Sequence, residues 1–497
     1  MTSVNQEEFD VVVVGGGPGG STLATLVAMA GHRVLILEKE SFPRYQIGES
    51  LLPSTVHGVC RLIGVTDELA KAGFTHKLGG TFRWGARDEP WTFSFSVSRK
   101  TAGSTSYAYQ VERMKFDQIL LDNARRKGVE VRERCAVNDV VEDEGKVVGV
   151  AYTDADGTVR RAGARYVVDA SGNTGRLHRH VGGTREYSDF FRSLALFGYF
   201  ENGKRLPAPR SGNILSVAFG SGWFWYIPLS DTLTSVGAVV RREDADKIQG
   251  DPETALMKLV AESPLISEYL KDATRVTTGE YGKLRVRKDY SYTNTKFWKP
   301  GMVLVGDAAC FVDPVFSSGV HLATYSALLA ARSINSVLAG EIAETAAFTE
   351  FENRYRREYS VFYEFLMSFY DMHVDEDSYF WQAKKVTSST RGELESFVEL
   401  VAGISAEEFD LSDAESVALR FKKRSAEFAD AVGELSGPEE GGDMKPLFKS
   451  SVVRQAMEQG TQEQTRAILG VGADAPMFPG GLVPSGDGLR WAVPDTD

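Results

Sequence analysis

The chain has 497 residues, 42% hydrophobic and 25% charged, with a formal net charge of −12. That length allows two or three packed regions around a large core, and the composition is that of a folded rather than a disordered protein. The acidic balance disfavours non-specific nucleic-acid binding, the apolar runs fall well below the roughly 18 residues of a membrane span, and the first residues lack a signal-peptide pattern, so a cytoplasmic protein with no membrane and no nucleic-acid partner is expected. Cys60, Cys135 and Cys310 are widely spaced, lack a C-x-x-C pattern, and read as buried apolar fillers rather than a disulfide framework or zinc site.

Phe9 to Val14 is an apolar, β-branched run that predicts a buried parallel strand leading into Gly15-Gly16-Gly17-Pro18-Gly19-Gly20. Gly15 permits the tight turn, Gly17 lets the backbone approach a pyrophosphate, and Gly20 lets the next helix pack against the strand. That helix is expected from about Ser21 to Ala30, with Gly31 as its stop. A second strand, Arg33 to Leu37, ends at Glu38, about 20 residues past the last glycine, where an acid grips a ribose hydroxyl. Strand, turn, helix, strand and acid in this order predict a dinucleotide site.

Further along, Lys77-Leu78-Gly79-Gly80 with alternating Phe82 and Trp84 puts a lysine beside an apolar strand. Taken alone, a lysine is a solvated surface charge. In an extended stretch His76 faces the opposite way and is structural. Trp223-Phe224-Trp225-Tyr226-Ile227-Pro228 is a strand whose two tryptophans share one face. Asn213 to Phe219 and Thr232 to Val240 are expected to flank it in a mixed sheet, with a turn at Asp231-Thr232. The apolar Met302 to Val305 precedes Gly306-Asp307-Ala308-Ala309, where an aspartate by itself reads as a turn or cap. Asp313 to Gly319 precedes a helical run from Val320 to Leu338, so its amides sit at a helix N-terminus that favours an anion, with Ser317 or Ser318 as the expected N-cap. From Phe348, apolar residues recur at Phe351, Tyr355, Tyr359, Phe362, Phe365, Leu366 and Phe369, a helical stripe that reads as core. Helices are expected to about Leu435, followed by a Gly437–Gly442 linker and a Gly/Pro-rich tail.

The glycine fingerprint, the lysine segment and W-x-W-x-I-P together resemble the flavin-dependent halogenases, nearest to the carrier-associated and phenol-directed members of chondrochloren and calicheamicin biosynthesis. The resemblance implies an α/β fold: the FAD-binding, Rossmann-like three-layer fold of FAD-dependent monooxygenases, with a mixed-sheet substrate layer and a mainly helical C-terminal region. It divides the chain into a core at 1–340, a helical region at 341–436, and linker and tail at 437–497. Within the core, FAD parts fall at about 1–75, 105–180 and 280–340, and the substrate-facing sheet at about 76–104 and 181–279. Tyr166 to Gly172 looks like the returning strand and turn of FAD-dependent oxygenases, Asp307 would contact the ribityl chain, and Gln110 to Arg113 places Arg113 near the flavin. Ser318 and Gly319 would lie beside the halide. Reduced FAD and O2 would give a flavin hydroperoxide that chloride attacks, and the hypochlorous acid so formed would pass the Trp223 and Trp225 wall to Lys77, the catalytic lysine.

Free-tryptophan halogenases carry a glutamate where this chain has Phe316, which points to the subgroup whose substrates are phenols, pyrroles or carrier-bound aryl groups; with the long helical extension and the resemblance to assembly-line enzymes, a phenolic ring held on an acyl carrier protein is expected. Lys422-Lys423-Arg424 and Arg354 to Arg357, read as solvated helix faces, are the candidate docking patches. No segment resembles a reductase, so a separate flavin reductase would supply reduced FAD. Two rivals share the flavin motifs: a single-component monooxygenase that hydroxylates an aromatic ring, and a flavin-binding protein without turnover.

Overall fold

The computed structural model describes residues 7–84, 89–97, 105–288, 290–371, 398, 400–402 and 476–494. The helices expected to about residue 435, the 437–442 linker and the Lys422-Lys423-Arg424 cluster lie outside these residues.

The β-branched run forms the strand Glu7–Val14, with Val11 to Val14 buried. It pairs in parallel with Val34–Glu38 on one side and Val159–Asp169 on the other. Glu130–Glu133 and Met302–Leu304 extend this sheet in the same direction, and a hairpin of Ala136–Asp143 and Lys146–Thr153 joins it antiparallel. A parallel sheet of such apolar strands needs helices over its faces. The helix Pro18–Met29 starts directly from the glycine turn, three residues before the expected Ser21, because Pro18 is pre-set for a first helical turn. It packs against Arg113–Arg126 and the long helix Ser318–Leu338.

The second large sheet runs in the order Thr274–Arg275, Ser193–Glu201, Leu233–Arg241, Gly222–Pro228, Ile214–Phe219, Gly79–Arg83, Trp91–Ser94. The tryptophan strand is interior, hydrogen-bonded on both sides by the two segments expected to flank it. Its alternation divides two cores. Trp223, Trp225 and Ile227 join the main core shared with the dinucleotide layer, whereas Phe224 and Tyr226 join a second core with the helices Pro252–Ala261 and Pro264–Tyr269.

The aromatic stripe lies on the helix Glu344–Asp371, and all its members are buried except the partly covered Tyr359, as a core face requires. The three cysteines are free and buried. Of the region expected as linker and tail, residues 476–494 form a packed ribbon of Val483–Pro484 and Trp491–Ala492. Trp491 lies against two buried guanidiniums, Arg332 at 5.2 Å and Arg354 at 5.0 Å from its ring centre. Arg354 also pairs with Glu350 and donates to the Leu482 carbonyl at 2.7 Å. Arg354 and Arg357 are therefore buried, which corrects the reading of Arg354 to Arg357 as a solvated docking face. Among the described residues no helix is long and apolar enough to cross a membrane.

Candidate active site

The glycine turn is shaped by two close approaches. Gly15 has φ +104°, and a Cβ on Gly20 would sit 1.9 Å from the Gly15 carbonyl oxygen, so neither position accepts a side chain. Glu38, at the end of the second strand, accepts from the Gly16 N–H at 2.7 Å and the Glu40 N–H at 2.8 Å. Each carboxylate oxygen keeps a further lone pair, so the group that fixes the turn can also receive a ribose hydroxyl. Gly17 is open: a Cβ there would meet only the Arg44 guanidinium, at 3.2 Å. An open glycine face at a helix N-terminus beside an arginine, with an acid one strand away, fits the adenosine diphosphate half of FAD.

Arg44 and Arg113 both pair with the buried Asp117, at 2.9 Å and 2.7 Å. Arg113 also donates to the Ile47 carbonyl at 2.5 Å. Burial pushes the Asp307 carboxyl up to about 6, against the pull of Arg113, Arg185 and Arg287. Asp307 lies in the first turn of the short 3-10 helix Gly306–Ala308, within the field of these three cations.

Lys77 ends the short strand Thr75–Lys77, whose alternation turns His76 outward, stacked 4.7 Å from the Tyr107 ring, and Lys77 inward. The lysine is 3% exposed. Its Nζ donates to the Leu51 carbonyl at 3.0 Å and to the Ser317 hydroxyl at 3.5 Å, and lies 5.6 Å from the Phe95 ring centre. Neither acceptor is a carboxylate. Loss of hydration pushes the amine down to about 7.

Ser317 and Ser318 do not cap the helix Ser318–Leu338, contrary to the sequence expectation. Ser317 adopts a left-handed conformation at φ +63° with its hydroxyl turned to Lys77, and the Ser318 hydroxyl donates back to the Asp313 carbonyl at 3.3 Å. The first amides of the helix are left without a side-chain cap. A Cβ on Gly319 would lie 2.9 Å from Phe311. Phe316 is buried among Phe82, Phe365 and Phe369 at ring separations of 5.7, 4.9 and 4.7 Å, an apolar place.

The tryptophans form a continuous aromatic face. Trp223 lies 6.1 Å from Trp225 and 6.2 Å from Trp84, which follows the strand Gly79–Arg83. Trp225 Nε1 donates to the Ser235 hydroxyl at 3.2 Å, and its ring covers Gly237, where a Cβ would come within 2.2 Å of it. Two buried carboxyls escaped the sequence reading. Tyr199 donates to Glu49 at 2.6 Å and meets Tyr45 at 2.7 Å, while Tyr370 donates to Asp313 at 3.0 Å. Burial pushes both acids up to about 7. Gly48-Glu49-Ser50, between the second strand and the lysine, was the available signal for the first.

The fold and cradle define an FAD-dependent oxidoreductase in which a buried lysine meets an uncapped helix start. The sequence model of the tryptophan halogenases matches residues 10–104 and 96–431, and the chain belongs to this family. It is an enzyme, a flavin-dependent halogenase of natural-product biosynthesis. It is 34% identical over 422 residues to a tryptophan 2-halogenase of Chondromyces crocatus, covering 82% of this chain and 77% of that one. The 1H-pyrrole-2-carbonyl-[peptidyl-carrier protein] chlorinase of Pseudomonas fluorescens is 31% identical over 392 residues, 75% of this chain and 85% of the relative. Among solved structures, the myxobacterial chondrochloren halogenase CndH, a variant FAD-dependent halogenase, superposes with a TM-score of 0.75 and is 54% identical, covering 98% of this chain and 100% of the other.

Proposed function

We propose that the enzyme chlorinates an electron-rich phenolic ring held on an acyl carrier protein, with Lys77 delivering the chlorine. The observation that carries this reading is the burial of Lys77 against two neutral oxygens and a phenylalanine, which brings its amine down to about 7. Bound FAD, delivered reduced by a separate flavin reductase, supplies hypochlorous acid from O2 and chloride. The uncapped amides at Ser318 and Gly319 attract the chloride, because the N-terminal end of a helix carries positive potential. Trp223 and Trp225 keep the ring away from the flavin layer, so that only a small oxidant reaches it. The neutral Lys77 amine takes the chlorine: an N–Cl bond forms, the Cl–O bond breaks, and the departing hydroxide removes one amine proton as water. The chloramine transfers its chlorine to the ring carbon, and the ring proton returns the lysine to its amine. Phe316 and its aromatic neighbours give the loop no carboxylate at that position, consistent with a phenol that needs no added base.

The carrier-bound form of the substrate is supported by the pyrrolyl-carrier chlorinase among the relatives. Lys77→Ala is expected to abolish chlorination while FAD still binds and hydrogen peroxide is still released; retained chlorination removes Lys77 from the mechanism. Halide-independent hydroxylation would instead favour the monooxygenase. A phenolic acid offered free and loaded on a carrier protein, side by side, tests tethering: equal turnover of the free acid sinks it.

A further inference from the structure

Three polar side chains form a chain through the core beside the lysine. The Ser54 hydroxyl meets His321 Nδ1 at 2.9 Å, and His321 Nε2 meets Glu358 Oε1 at 2.7 Å. Ser54, His321 and Glu358 are all buried. A carboxylate only accepts, so His321 Nε2 donates to Glu358, and the Ser54 hydroxyl, which can donate or accept, pairs with Nδ1. The order is that of a hydrolytic triad, yet the Ser54 N–H is bonded to the Ala402 carbonyl at 3.1 Å and the hydroxyl is enclosed, so it is not placed to attack a substrate. A fully satisfied buried polar chain of this kind is suited to fixing which segments lie together.

The segments it fixes are the two that hold Lys77. Ser54 begins the π-helix Ser54–Val59, three residues after Leu51, whose carbonyl accepts from Nζ at 3.0 Å. A π-turn of this kind recurs at functional sites. His321 lies in the first turn of Ser318–Leu338, four residues after Ser317, whose hydroxyl is the other acceptor at 3.5 Å. Three hydrogen bonds and two short stretches of chain close a ring from Lys77 to Leu51, Ser54, His321, Ser317 and back to Lys77. Glu358 anchors the ring to the helix Glu344–Asp371. His321 stacks with Tyr325 at 5.7 Å and packs against Phe362 at 5.7 Å, which hold the imidazole in plane.

We infer that Ser54, His321 and Glu358 are positioning residues that set the distance between the lysine amine and the Ser317 to Gly319 turn. The inference rests on the proposed role of Lys77, and its test separates the two. Ser54→Ala, His321→Gln and Glu358→Gln would be compared with Ser54→Thr, which keeps the hydroxyl. In flavin-free protein, trace reductive methylation followed by peptide mass spectrometry compares Lys77 with the exposed Lys127. We expect Lys77 labelling to rise by about threefold as its enclosure loosens. In turnover with reduced FAD, chlorinated product per hydrogen peroxide is expected to fall by about fivefold or more, since a small misplacement of a reacting group costs rate steeply. Flavin affinity stays unchanged, and Ser54→Thr behaves as wild type. Wild-type labelling and coupling in folded Ser54→Ala overturn the inference, and that variant decides the matter if His321→Gln fails to fold. If Lys77→Ala still chlorinates, the labelling alone reads the linkage.

Discussion

An amine buried against a phenyl ring and two neutral oxygens has lost its hydration, and Lys77 titrates near 7 where an exposed lysine titrates at 10.5. Between these values the unfolded chain binds a proton that the folded one does not, so stability rises with pH across that window. Below pH 7 both states are protonated and the full cost of burying the ammonium is present. Lys77→Met should therefore be more stable than wild type by a few kcal/mol below pH 7. The gap should close as pH rises toward 10, and denaturant melts across that range would measure it; a gap independent of pH would mean the amine keeps an ordinary pKa. Gly319 makes a second residue-level test. With Phe311 already 2.9 Å from where a Cβ would stand, Gly319→Val must displace that ring at the helix start. The chloride concentration for half-maximal rate should rise roughly tenfold, or flavin binding should fail. An unchanged chloride titration would take the anion away from this turn.

At the scale of elements, the tryptophan strand earns its rigidity from both neighbours. Being interior, it cannot slip by one residue without exchanging Trp223 and Trp225 for Phe224 and Tyr226 between two packed cores. Gly237 on the adjacent strand is fixed by this arrangement, because the Trp225 ring occupies the space of its side chain. Gly237→Ala should push Trp225 off Ser235 and destabilise the protein by roughly 1–3 kcal/mol. Thermal unfolding would register the loss, and a near-UV dichroism spectrum would show whether the tryptophan moves. A silent substitution would mean the ring is loosely held and poorly suited to a partition.

Over the whole molecule, the ribbon at 476–494 closes the back of the core. Arg332 is buried, held below its usual pKa at about 9 by burial first and by Arg354 second, and its Nε donates to the Gly488 carbonyl at 2.9 Å. Trp491 lies against both cations, and its Nε1 donates to Ser333 at 2.9 Å. Removing the indole leaves two buried guanidiniums without their cover, so Trp491→Ala should cost roughly 3–5 kcal/mol. Chemical denaturation would give the figure; a loss below about 1 kcal/mol would mean that the ribbon is dispensable.

The chain alone determined what depends on local backbone geometry. Gly15, Gly17, Gly20 and Glu38 could be placed because a turn that tight has few sequences, and the two faces of the tryptophan strand followed from a period of two. The dinucleotide layer and the aromatic helix were legible for the same reason, whereas Lys77 stood out only through the resemblance of its segment to the halogenases. What only the tertiary structure decided were contacts between segments far apart in sequence. Lys77 meets Ser317 across 240 positions, and His321 meets Ser54 across 267. No periodicity reports such pairs, since side-chain spacing describes one element at a time. The expected serine caps failed on the same ground: each hydroxyl found a tertiary or loop partner that outcompeted its own helix. Arg354 looked solvated because its helix face is polar in sequence, and became buried because a ribbon more than a hundred residues later covers it. Local sequence thus set which elements form and which way they face, while the depth of burial that lowers the Lys77 pKa arose only when those elements closed around it.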